Sequence, residues 1–372
     1  LYCAETHQNV HPILADWALK ELMPSVIHQL EIQGIFTAPY NEGNDLKNGI
    51  INAPAPPRLS TGYSAAQNRF CLLVEAHSLK PYADRVYSTK AMNAAVLNYL
   101  HENSEELVAR NRFADEDTVR QFCFHRKPFP IHVSLKKESQ PFSFKGISSF
   151  EEMSSITGST VTRYTGEPVN IEVPFFSKGE AQETVLAPAA YYIPPEYEHI
   201  AQHLVLHGIE LRTVNHPCKA VAECYRFKDV SFSPWPYESH IRVNFQTESF
   251  EEQRILRPGG FIVPTAQRTL RVLLHLLEPA GPDSLLRWGF FQSIFERKEY
   301  AEAYIMEPIA QTMLDQNPSL RKEFYRRLEE DEHFRNSASD RLDFFYKRSL
   351  YFDSRENIYP ILRLGEIPYE FI

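Results

Sequence analysis

The sequence predicts an α/β protein followed by a β-rich module and a helical end. Three observations carry this. Apolar residues recur at helical spacing on either side of a strand-like run at 70–76. From about residue 118 to 186 the pattern changes to short alternating segments, the mark of half-buried strands. From residue 266 a leucine-rich helical periodicity takes over. These shifts divide the chain into an α/β unit at 1–112, a β-rich accessory module at 113–265 and a mostly helical region at 266–372.

In order along the chain, residues 11–34 read as an amphipathic helix through Ile13, Leu14, Trp17, Leu22, Val26 and Ile27, ended by Gly34. Residues 41–60 are loop, rich in Asn, Gly and Pro and culminating in Ala53-Pro54-Ala55-Pro56-Pro57. A buried strand follows at 70–76, stopped by Pro81. Ser88 and Thr89 precede a second helix at 89–110, whose apolar side holds Met92, Ala95, Val96, Tyr99 and Leu100. Strand patterns recur at 131–135 and 169–173. A helix is expected at 196–209, ending at Gly208, with strands at 209–214, 220–228 and 240–247. Arg257-Pro258-Gly259-Gly260 is a turn before the strand at 261–263. Helices at 266–278, 299–314 and 318–330 complete the reading; the charges of the last, from Arg321 to Glu330, mark a solvated face.

Composition narrows the function. The 372 residues carry a formal net charge of -9, and no basic block alternates with aromatics, which argues against a nucleic-acid partner. No apolar run is long enough for membrane insertion as a spanning helix. The five cysteines, Cys3, Cys71, Cys123, Cys218 and Cys224, form no CxxC pair, so a zinc ribbon or redox dithiol is not expected. Pairing of Cys218 with Cys224 stays open. Leu1-Tyr2-Cys3 is neither an initiator methionine nor a secretory leader. The expectation is that processing or trimming removed a preceding segment.

Chemistry concentrates at Phe70-Cys71-Leu72-Leu73-Val74-Glu75-Ala76-His77-Ser78-Leu79-Lys80. Polar groups at the end of a buried strand lie where α/β proteins place sites. Glu75 there is expected to be shielded, with a raised pKa suited to acid–base work. A structural Glu75 paired with Lys80 or Arg85 is the other reading. His199, His203 and His207 recur every four residues, as a metal-binding stripe or as a polar flank. Walker A, GxGxxG, HExxH and GxSxG signatures are absent.

Two sets of segments carry a resemblance. The first is Gly62–Arg69, Leu72–Tyr82 and Arg85-Val86. The second is Leu277-Glu278-Pro279, Trp288–Phe291, Lys298-Glu299-Tyr300 and Arg348-Ser349. On these the chain resembles the M14-type zinc carboxypeptidases, and looks most like a bacterial subgroup with extra C-terminal domains. The resemblance implies that residues 1–112 are the C-terminal half of a mixed-sheet zinc-carboxypeptidase domain. It implies metal-assisted peptide hydrolysis with Glu75 as general base and acid, zinc as cofactor, and a peptide or small amide as substrate. It also favours a secreted or periplasmic location.

Tyr63, Arg69 and His77 match the expected substrate cleft. Tyr63 is either a donor to a developing oxyanion or loop packing. His77 either orients Glu75 or touches substrate. The family's His-x-x-Glu pair and later histidine have no counterpart before Glu75; His7 and His11 lack that context. The zinc ligands are therefore expected upstream of residue 1, and this chain alone is expected to be inactive. Two alternatives stand beside the enzyme: a noncatalytic peptide-binding pseudoenzyme, and an amidase acting on cell-wall peptides or modified amino acids.

Overall fold

In a computed structural model the structure describes residues 2–4, 6–7, 9–42, 46–297 and 300–371. Lys298 and Glu299 of the resemblance segments lie outside the described residues. The architecture is mixed α/β, with separate sheet and helical regions.

The first region combines β1 (Tyr2–Ala4), α1 (Pro12–Trp17) and α2 (Met23–Ile32). Pro12 starts α1 at a position where its missing N–H costs nothing. The His11 ring caps it by accepting from the Ile13 N–H at 3.3 Å. A π-helical turn, Ala18–Leu22, joins α1 to α2. Trp17, Ala18, Leu22, Val26 and Leu30 are all buried on one side of this continuous rod. They pack against Met92 and Ala95 and against Phe70, Leu72 and Val74.

After β2 (Ile50–Ile51) and α3 (Ser60–Ala66) comes β3 (Leu72–Val74), shorter than the run at 70–76 suggests. It pairs antiparallel with β1 in a two-stranded sheet. The second predicted helix is two: α4 (Tyr82–Glu102) and α5 (Ser104–Val119). Asn103 makes the break, its side-chain amide donating to the Tyr99 carbonyl at 2.8 Å and competing with the backbone.

Gly62 in α3 has no room for a side chain. A Cβ there would lie 2.2 Å from the Pro56 carbonyl oxygen. Gly→Ala in a helix ordinarily stabilises by about 1 kcal/mol. Here Gly62→Ala is expected to destabilise instead, by roughly 1–3 kcal/mol as an overpacked contact. A rise in thermal midpoint would contradict the close approach.

The β-rich part holds β4 (Phe129–Leu135), β5 (Gln140–Met153), β6 (Thr160–Phe176) and β7 (Gly179–Val185). β5 and β6 form a long antiparallel ribbon, with β2 parallel to the end of β6. β4 pairs with β7. Next come β8 (Ala190–Ile193), α6 (Glu198–Leu206), β9 (Arg212–Thr213), β10 (Cys218–Phe232), β11 (Val243–Leu256), β12 (Phe261–Pro264) and α7 (Leu270–Leu277). Gly208 follows α6 at φ +76°, the left-handed stop read from the sequence. Cys218 and Cys224 are buried free thiols six residues apart on β10. An extended strand holds such residues about 20 Å apart, so they cannot bond to one another.

Four helices follow: α8 (Ala303–Gln316), α9 (Pro318–Glu330), α10 (Glu332–Asn336) and α11 (Ala338–Tyr346). Asn317, Asp331 and Ser337 cap the last three through their side chains. Phe324, Phe334, Phe344 and Phe345 form their core. The chain then returns to the sheet as β13 (Leu362–Leu364). The six-stranded antiparallel sheet has the order β11-β10-β13-β8-β12-β9, so its sequence-last strand is internal and residues on both sides of position 265 share it.

Arg363 fastens that strand. Its guanidinium lies 2.8 Å from Glu278, 2.9 Å from Glu223 and 2.5 Å from the Tyr225 hydroxyl. It also donates to the Leu186 carbonyl at 2.6 Å. The Tyr191 and Tyr225 hydroxyls both donate to Glu278. Burial opposes the charge on Arg363, but Glu278, Tyr191 and Tyr225 prevail and raise its pKa.

Candidate functional site

The loop after β3 carries Glu75 and His77. Both are exposed. The shielding expected at Glu75 is therefore absent, for a topological reason. β3 is three half-buried residues, and among the described residues β1 is its only sheet partner. The His77 ring accepts from the Leu79 N–H at 3.2 Å, and the Lys80 N–H donates to the His77 carbonyl at 3.1 Å. These bonds shape a turn that delivers the chain to Pro81 and α4. Arg85 closes the turn by donating to the Lys80 carbonyl at 3.1 Å.

Arg69 and Tyr63 point to other elements. Asn68 ends α3 in the left-handed region, at φ +53°. Its buried amide donates to Thr118 at 3.0 Å. Arg69 then makes a bidentate pair with Asp115 of α5, at 3.1 and 2.9 Å. Tyr63 meets α6 instead: its hydroxyl is 2.9 Å from Nδ1 of His207. Gln67 donates to the same hydroxyl at 2.9 Å and to the His207 carbonyl at 3.2 Å. Of the four residues singled out from the sequence, Glu75 and His77 thus share one exposed loop. Arg69 is committed to α5, and Tyr63 to α6.

The histidine stripe divides as well. His203 and His207 have ring centroids 5.2 Å apart, while His199 lies beside Tyr197 at 6.0 Å. Burial lowers the pKa of both His203 and His207, and at His207 the nearby His203 adds to the effect.

A second cluster escaped the sequence reading. Arg271 and His275 sit four apart in α7, both buried. Arg271 donates to the Asn9 carbonyl and lies over the Phe129 ring at 5.3 Å. His275 meets the same ring edge-on at 5.3 Å. Burial lowers the His275 pKa to about 3, with Arg271 adding to it. Burial likewise takes His7 down to about 4, against a backbone hydrogen bond with Asn52. His11 lies 3.2 Å from Asp117, yet burial still holds its pKa below the ordinary value. The signal available in the sequence was a cation and a histidine one turn apart inside an otherwise apolar helix.

Catalytic zinc takes three protein ligands and keeps one open position. Among the described residues, no group of three His, Cys, Asp or Glu side chains could hold a metal ion. The described residues therefore do not fit the zinc that the resemblance implies.

Comparison with known proteins finds a distant similarity. The chain is 28% identical over 102 residues to Carboxypeptidase 2 of Trichophyton rubrum, covering 27% of this chain and 19% of that protein. Carboxypeptidase 2 of Trichophyton tonsurans gives the same identity and coverage, and that of Trichophyton equinum is 26% identical over 102 residues. The match thus spans about a fifth of the length of these relatives. No family model matches the chain. No solved structure matches it.

Proposed function

We propose that the chain is part of a peptide hydrolase of the carboxypeptidase kind, with Glu75 as its proton-transfer group. The observation that carries this reading is the similarity to fungal Carboxypeptidase 2. In this reading Glu75, on the exposed turn after β3, meets a peptide or small amide. In that role it takes a proton from attacking water and returns it to the leaving amine. His77, two residues on in the same exposed loop, contacts the substrate in this reading. Arg69 acts as a positioning residue, since its guanidinium is already paired with Asp115. Tyr63 contributes to the wall through a phenol held by Gln67. When bound, zinc supplies Lewis acidity and an activated water; the described residues do not supply its ligands.

The test is release of the C-terminal residue from N-blocked peptides by the longer protein of which this chain is proposed to be a part, with zinc ions added. Glu75→Gln is expected to lower kcat by about 10²–10⁴-fold and to leave KM nearly unchanged. Equal turnover in the variant removes Glu75 from the chemistry.

A second reading is a noncatalytic peptide-binding protein, favoured by the lack of a three-ligand group among the described residues. Calorimetry on the same peptides separates the two. Saturable binding without turnover supports the second reading. Turnover excludes it. Neither binding nor turnover overturns both.

A further inference from the structure

We propose that His203 and His207 form a two-imidazole site for one divalent transition ion, copper(II) ahead of nickel(II) and zinc(II). The pair lies on α6 and its C-terminal cap, one helical turn apart. Histidines four apart on a helix present their rings to one side. The separation fits a shared ion. A metal–nitrogen bond of about 2.0–2.1 Å places the ion roughly 3.2 Å from each ring centre. Two rings with centroids 5.2 Å apart lie within the roughly 6.4 Å that two such bonds to one ion can span.

The surroundings supply what metal-ligating histidines use. The hydrogen bond between Tyr63 and Nδ1 of His207, at 2.9 Å, leaves Nε2 as the donor atom. The Tyr63 oxygen accepts from Gln67 at 2.9 Å, and the Gln67 Oε1 accepts from Arg268 at 3.0 Å. An ion on Nε2 of His207 selects the tautomer whose Nδ1–H donates to the Tyr63 oxygen, which also accepts from Gln67. An outer partner that orients a ring in this way strengthens metal affinity. Phe290 lies 5.3 Å from the His203 ring and the Tyr63 ring 5.5 Å from His207, which walls the pair with aromatics. Two ligands leave the remaining coordination positions to water or a small ligand. Imidazole donors and the ordering of divalent ions put copper(II) first.

The proposal does not rest on the peptidase reading, since its readout is ion binding. Copper(II) chloride is titrated into the native chain and followed by calorimetry and electron paramagnetic resonance. One ion with two imidazole nitrogens is expected. His203→Gln and His207→Gln should each weaken binding at least tenfold. Tyr63→Phe should weaken it about 10–100-fold, as the loss of an outer-shell partner does. His199→Gln should bind as the native chain does. Binding unchanged in both glutamine variants overturns the site. If those variants fail to fold, the native spectrum decides: fewer than two imidazole nitrogens overturns it, and two that are lost from the spectrum of the folded Tyr63→Phe chain support it.

Discussion

Arg363→Ala is expected to lower the unfolding free energy by about 3–5 kcal/mol. Removing one partner of a buried ion pair leaves the other charged and unpaired. Glu278, 1% exposed, would keep its carboxylate against two phenols but lose the only guanidinium paired with it among the described residues. The Leu186 carbonyl and the Tyr225 hydroxyl would lose a donor at the same time. Urea unfolding at pH 7 measures the effect. A loss under about 1 kcal/mol would show that the network relaxes or hydrates, as surface pairs do. A double replacement, Arg363→Met with Glu278→Leu, should recover much of the loss. Apolar residues of similar volume often match or exceed a buried ion pair in stability.

Mild acid should weaken the fold well above the range in which carboxylates titrate. His275 and His7 have pKa values pushed down to about 3 and about 4 from an ordinary 6.5. Below pH 6.5 the unfolded chain takes up protons at both sites while the folded chain does not. Stability therefore falls with pH from about 6.5 down to the folded values. Each histidine contributes up to about 1.4 kcal/mol per pH unit. Between pH 6 and 5 the loss is roughly 2–3 kcal/mol for the pair. Urea midpoints at pH 7, 6 and 5 read it directly. His275→Gln should flatten the slope by about half. A midpoint constant from pH 7 to 5 would mean that these rings are protonated, or hydrated, in the folded chain.

Much of the fold was legible because its elements are locally encoded. Proline and a histidine cap start α1, Gly208 stops α6, and the α8–α9 junction falls at Asn317-Pro318. What could not be read was pairing over long sequence distances. Nothing in Leu362-Arg363-Leu364 says that these residues enter a sheet between strands that begin more than 140 residues earlier. The same blindness affected the site. An apolar run ending in Glu75 suggested a shielded carboxylate, yet burial depends on which strands flank β3, and period-2 patterning is silent on that. Tyr63 and Arg69 stand out in the sequence only by position in a motif. Their partners, His207 and Asp115, are 144 and 46 residues away. Arg271 and His275 are visible in the sequence, but the leucines and valine around them give that segment the pattern of plain core.

The internal position of β13 also bears on the order in which the chain can be finished. Until residues 362–364 leave the ribosome, the β10–β11 ribbon and the β8-β12-β9 group have no strand to join them. Each then presents a bare hydrogen-bonding edge beside a hydrophobic face, the combination that invites pairing with other chains. A polypeptide halted between Pro264 and Leu362 would carry both edges uncovered, however well its earlier helices had formed. Closure of this sheet thus reports that synthesis has passed β13, and stalled or clipped chains should be sticky rather than merely less stable.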